Sequence, residues 1–138
     1  MKYSDFEYIM SATRMNRYLL ASNNNSKKAM TLYRKNLHLS QELFTVISCF
    51  EVAFRNAINM YNHTFVFNQL EKTNNLRNRI AHHEPICFLP NQSVIDTTYA
   101  RQHYNLILQL FQWMNIDELS LLYGLDHITT VCNEIDAL

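Results

Sequence analysis

One glycine and two prolines in 138 residues leave this chain few places to turn tightly. A β-rich fold of this size needs many more turn residues. The chain therefore reads as all-α, a bundle of about five to six helices with short connections. Apolar residues make up 48% of the sequence. That supports a core without disulfides or metals, in a single domain spanning residues 1–138.

Apolar periodicity and capping signals divide the chain. Ser4-Asp5-Phe6-Glu7 has capping-box spacing, so a first helix is expected from Asp5 to near Ala21, carrying Ile9, Met10, Met15, Tyr18 and Leu19. The polar run 22–26 follows, with Ser26 able to cap the next helix. That helix is long, about Lys27 to Asn62, with a stripe of Tyr33, Leu37, Phe44, Ile47, Phe54 and Ile58. A third helix runs from about Phe65 to Glu84 on a stripe of Val66, Leu70, Thr73, Leu76 and Ile80, and Pro85 stops it. A loop holding Pro90 leads to a fourth helix, about Val94 to Met114, with Ile95, Tyr99, Leu106, Leu110 and Trp113 facing inward. A short helix near Asp117–Tyr123 ends at Gly124, and Asp126 can cap a last helix bearing Ile128, Val131, Cys132 and Ile135.

Formal net charge is zero, so no global basic field points to nucleic acid. The charges are nevertheless segregated. Residues 1–35 hold seven Lys/Arg against two Asp/Glu, and residues 85–138 hold one Arg against six acids. Either the two ends attract each other across the bundle, or the basic end forms an edge for a polyanion. Cys49, Cys87 and Cys132 are widely spaced and odd in number, and the chain shows no signal peptide. A reducing, cytoplasmic setting is expected, with Cys49 and Cys132 as buried thiols. No apolar run is long enough for a membrane span.

Three charged residues fall within apolar stripes. Glu51 points the same way as Tyr33, and Arg55 lies one turn further on. Glu51 is expected to contact Arg55, Arg77 or both where the two stripes pack together, because a lone buried charge is costly. Arg77 sits at the centre of the third helix's stripe, inside the polar cluster Arg77-Asn78-Arg79-Ile80-Ala81-His82-His83-Glu84-Pro85. Asn78 and His82 are four apart and share one face, and Arg79 and His83 share another. Both histidines occupy the last helical turn, whose carbonyl end favours a protonated ring. An arginine beside such a histidine suits phosphodiester chemistry. The guanidinium stabilises charge on a phosphoryl group, and the imidazole exchanges a proton with a 2′-hydroxyl or a leaving oxygen. RNA supplies its own nucleophile, so no cofactor is required. His82, His83 and Glu84 are consecutive and point about 100° apart, which does not converge on a metal. The same residues also fit a helix end that is merely polar and solvated.

The cluster Arg77-Asn78-Arg79-Ile80-Ala81-His82 resembles the HEPN motif, an Arg and a polar residue followed by a His. Extended through His83-Glu84-Pro85-Ile86, it is similar to the Abi-like abortive-infection family. A second block supports this: Tyr33, Asn36, Leu39-Ser40 and Glu51-Val52-Ala53-Phe54-Arg55-Asn56-Ala57-Ile58, with Ser11, Arg14 and Tyr18 upstream. The resemblance covers roughly residues 5–90. Family members carry a longer stretch between the blocks than the His63–Asn75 found here, a difference that bears on activity more than on fold.

The resemblance implies a metal-independent endoribonuclease used in phage defence or as a toxin. It implies a homodimer whose Arg and His residues line one shared cleft, with RNA as substrate and a neutralising partner protein a further possibility. On that basis Arg77 stabilises the scissile phosphate, Asn78 orients, either His82 or His83 handles the proton, and Glu51 and Arg55 support them. Two other classes fit the same residues: a HEPN-type bundle that grips RNA or a protein without chemistry, and a degenerate fragment whose motif serves packing.

Overall fold

The computed structural model describes residues 1–57 and 63–138, with 63–66 described as backbone only. Seven helices are present among the described residues: α1 (Tyr3–Met10), α2 (Ala12–Ala21), α3 (Ser26–Ala57), α4 (His63–Ala81), α5 (Thr98–Trp113), α6 (Glu118–Leu121) and α7 (Ile128–Asp136). The all-α expectation holds, with more helices than the five to six read from periodicity. The one bridge of strand type among these residues pairs Phe88 with Ile95. The expected end of the long helix at Asn62, and Ile58 in its stripe, lie outside the described residues.

Helix α3 is the axis of the bundle, packing against α1, α2, α4, α5 and α7. Its buried face is Ala29, Leu32, Asn36, Leu39, Leu43, Val46, Ile47 and Phe50, with Tyr33 at its edge. This face is rotated from the expected stripe by most of one residue's 100° step. Phe44 is consequently exposed, and Glu51 falls at the margin of the packed face. Tyr33 is still buried, because rings from two other helices cover it: Phe6 at 5.5 Å and Tyr18 at 5.0 Å between centroids.

Those two ring contacts explain the main departure from the expected elements. In a straight helix, residues 6 and 18 would stand about 18 Å apart along the axis. Both meet Tyr33, so the chain must fold back between them. It does so at Ser11, at φ 72°, where the Ser11 hydroxyl oxygen accepts the Arg14 N–H at 3.4 Å. The expected single helix from Asp5 to Ala21 is therefore two helices, and α1 begins at Tyr3 without a side-chain cap. At the start of α3 the side chain that accepts a backbone N–H (Lys28, 3.0 Å) belongs to Asn25 rather than Ser26.

Helix α4 buries Thr73, Leu76 and Ile80, as its period indicated. It ends at Ala81, three residues before the expected stop. His83 takes a left-handed φ of 54°, its N–H bonds to Ile80 O, and the Glu84 N–H bonds to Arg79 O at 2.9 Å. This is a Schellman closure with histidine in the position glycine usually fills. Asn23 and Asn115 close α2 and α5 in the same way. A chain with one glycine thus assigns most of its left-handed positions to asparagine and histidine, which tolerate them better than other residues do.

Residues 86–96 form a tight excursion instead of the expected early start of the fourth helix. The Leu89 N–H bonds to Val94 O and the Asp96 N–H to Cys87 O. Pro90 and Asn91 (φ 58°) occupy the centre of a type II turn closed by Gln92 N–H to Leu89 O. Arg17 of α2 donates to Leu89 O and Gln92 O and lies 4.9 Å from the Phe88 ring centroid. Helix α5 starts at Thr98, where the Thr98 N–H bonds to the Asp96 carboxylate. Trp113, expected inward, is 43% exposed. Cys132 is buried as expected, but so is Cys87, whose thiol burial pushes up to about 12, whereas Cys49 is only half-buried. Among the described residues no helix is long and apolar enough to cross a membrane.

Candidate functional site

Helix α4 sorts its polar residues onto three faces. Its buried side, Thr73–Leu76–Ile80, packs inward. Arg77 lies on the flank toward α3, where its Nε is 3.1 Å from a Glu51 carboxylate oxygen. Asn78 and His82 project within about 40° of each other on the solvent side, opposite the core, and both are exposed. Arg79 lies on the other flank, toward α5. Its guanidinium sits 4.3 Å from the Tyr99 ring centroid and donates to Glu84 (3.1 Å) and to Pro85 O (2.8 Å). His83 stands past the helix end and is also exposed.

Two expectations are corrected here. Arg77 is not at the buried centre of its stripe: its side chain is 46% exposed, and that of Glu51 43%. Of the partners expected for Glu51, Arg77 is found among the described residues and Arg55 is not, and the contact lies at a half-exposed margin instead of in the core. Glu51 bridges to Arg77, and Arg55 is exposed in the last turn of α3. The rotation of the α3 face brings this about, placing positions 51 and 55 progressively further from the core. An ion pair this exposed contributes at most about 1 kcal/mol. Its consequence is positional, since it holds the Arg77 guanidinium against α3.

Four other residues of the upstream block and its flank are structural. Tyr18, Tyr33, Asn36 and Leu39 are all buried. The Asn36 side-chain oxygen accepts the Ile86 N–H at 3.0 Å, a buried bond. It fastens the segment after the Arg77–His83 cluster onto the central helix. The first block thus positions the second. Arg14 is exposed on α2, Ser40 is half-buried, and Ser11 makes the α1–α2 break.

One functional candidate had no signal in the motif. His103 lies against Tyr99, whose ring also carries Arg79, at 4.1 Å between centroids and tilted by 39°. Its Nδ1 is 2.9 Å from Tyr99 O, which takes a hydrogen bond only from Nδ1–H, leaving Nε2 as the acceptor nitrogen of the neutral ring. Burial lowers the His103 pKa, and the nearby Arg79 and Lys72 cations add to the effect, outweighing the Tyr99 carbonyl. Only the fourfold spacing from Tyr99 hinted at this arrangement. Among the described residues no group of three or more His, Cys, Asp or Glu is placed to hold a metal ion.

The site is thus an exposed basic, imidazole-bearing helix end on an all-α bundle. No family model, no curated protein and no solved structure matches this chain.

Proposed function

We propose that this protein is a HEPN-type, metal-independent endoribonuclease of the abortive-infection kind, acting in phage defence or as a toxin. The observation that carries the reading is the accessible grouping of Arg77, Asn78, His82 and His83 at one helix end, anchored by Glu51 on one side and by Asn36 behind it. Arg77 stabilises charge on the phosphate. His82 takes the 2′-hydroxyl proton as that oxygen attacks phosphorus, the P–O5′ bond breaks, and the resulting imidazolium returns the proton to the departing 5′-oxygen, giving a 2′,3′-cyclic phosphate. Arg77 and His82 project about 140° apart around α4, so one copy does not turn both toward one phosphate. A two-fold dimer supplies the Arg of one copy and the His of the other to a shared cleft.

The test is incubation of purified protein with RNA in excess chelator. Cleavage is expected to persist, to disappear when the cut-site nucleotide is 2′-deoxy, and to fall about 10²–10³-fold in Arg77→Ala. Equal cutting of the 2′-deoxy strand eliminates 2′-hydroxyl attack. Binding of RNA without cleavage by the folded dimer favours the second reading, an inactive RNA-gripping bundle, which the amide-rich surface of α4 and α5 also suits.

A further inference from the structure

Between α4 and α5 lies an open groove of about 540 Å³, lined by Lys72, Gln102, His103, Asn105, Leu106 and Gln109. Among the described residues no carboxylate lines it, although one of its walls, α5, belongs to the acidic C-terminal part of the chain. Helix α5 carries no Asp or Glu over its whole length, and four of its six exposed positions, 102, 105, 109 and 112, are side-chain amides, the others being Thr98 and Trp113. On the side of α4 nearer the groove Asn68 and Asn75 are exposed, whereas Asn74 and Asn78 project away from it. Surface helices ordinarily display Lys and Glu, which are solvated singly. A field of amides offers paired donors and acceptors, the groups that meet base edges. Lys72 and Arg79 are seven residues apart and fall within about 20° on α4. They form a basic line running along the groove from Lys72 toward the Arg77–His83 end.

We infer that this groove binds a single strand of RNA, with Lys72 against a phosphate, the amides of α5 against base edges, and the acceptor Nε2 of His103 receiving a ribose 2′-hydroxyl. Arg79 and Tyr99 form the stacked support that fixes the His103 ring at the groove's motif end. This assignment rests on the ribonuclease reading for its ligand class, and it adds the track along which the strand reaches the cleaving groups. A single strand suits the groove better than a duplex, because unstacked bases expose the edges that amides read.

The experiment is a fluorescence-anisotropy titration with a short labelled RNA of mixed sequence and with the DNA of the same sequence, strand integrity being checked afterwards on a denaturing gel. The proteins are the full chain, Lys72→Glu and His103→Phe. Lys72 is exposed, so its reversal leaves the fold intact. Lys72→Glu is expected to weaken binding of both strands about tenfold and to flatten the salt dependence by about one phosphate contact. His103→Phe keeps a ring on Tyr99 but removes the acceptor, and is expected to erase the preference for RNA over DNA. If both variants bind within about twofold of the unmodified chain at every salt concentration, the groove is overturned while the ribonuclease reading stands. If the unmodified chain binds RNA through Lys72 but cuts none, the groove stands and the ribonuclease reading fails. If the unmodified chain binds no RNA, both fall.

Discussion

Asn36 shows what a single buried polar group does in this bundle. It is 2% exposed, and its oxygen is the partner of the Ile86 N–H. Asn36→Ala leaves that N–H buried and unpaired, which costs about 1–3 kcal/mol. Urea denaturation is expected to show that loss, with cleavage falling further because the segment holding His82 and His83 is released. Asn36→Asp keeps an acceptor but buries an unpaired carboxylate, and is expected to be destabilised at neutral pH as well. His103 supplies a second case, in which stability depends on pH. Its folded pKa lies below the ordinary 6.5, chiefly through burial. The unfolded chain therefore takes up its proton more readily. The stabilisation this histidine contributes is full above the unfolded value and is lost as pH falls through the folded one. Between about pH 7 and pH 5, His103→Phe is expected to flatten the decline in urea midpoint shown by the unmodified chain. An unchanged slope refutes the shift.

Helix existence was readable from the sequence, and helix ends much less so. The α4 stripe at Thr73, Leu76 and Ile80 was recovered because its apolar positions recur cleanly. The α1–α2 break was not, because serine carries no breaking signal and the fold-back is set by Phe6 and Tyr18 converging on Tyr33. The rotation of α3 was missed for a related reason. Tyr33 and Phe44 look equivalent by period, yet only Tyr33 has neighbours to cover it. In the candidate site, the identities of Arg77, Asn78 and the two histidines could be read directly, but their faces could not, since faces follow from which flank each neighbouring helix occupies. The closure of α4 bears on which histidine works. His83 holds a left-handed φ of 54°, so its position serves the backbone turn. His83→Gly is expected to raise stability by about 1 kcal/mol by removing the Cβ penalty there. If His82 moves the proton, cleavage survives His83→Gly and drops about 10²–10⁴-fold in His82→Ala. The opposite pattern in a cleavage time course assigns the role to His83.

Charge segregation along the chain is partly resolved by packing. Lys35 of α3 pairs with Glu134 of α7, and Glu42 of α3 accepts the His127 N–H at the start of α7 at 3.0 Å, so the acidic C-terminal part is clamped to the central helix. Arg101 bonds to Asp136 and Asn133, which keeps that linkage within the acidic half. The groups proposed for chemistry stay outside these pairings, at the far end of α4. They are also split between two faces of it, with Arg77 turned toward α3 and His82 toward solvent. In the proposed dimer, a two-fold pairing across that end would bring the Arg77 face of one copy to the His82 face of the other, so that each cleft would depend on both chains. Arg77→Ala and His82→Ala are therefore each expected to be inactive as pure dimers. Unfolded together and refolded as a mixture, they are expected to regain about a quarter of the original rate, since half the random pairs are mixed and each mixed pair holds one intact cleft. Light scattering on the same sample is expected to give the mass of a dimer at micromolar concentration. A mixture no more active than its parts, from protein that is dimeric, shows that Arg77 and His82 do not act across an interface. A monomer that cleaves RNA removes the dimer from the mechanism altogether.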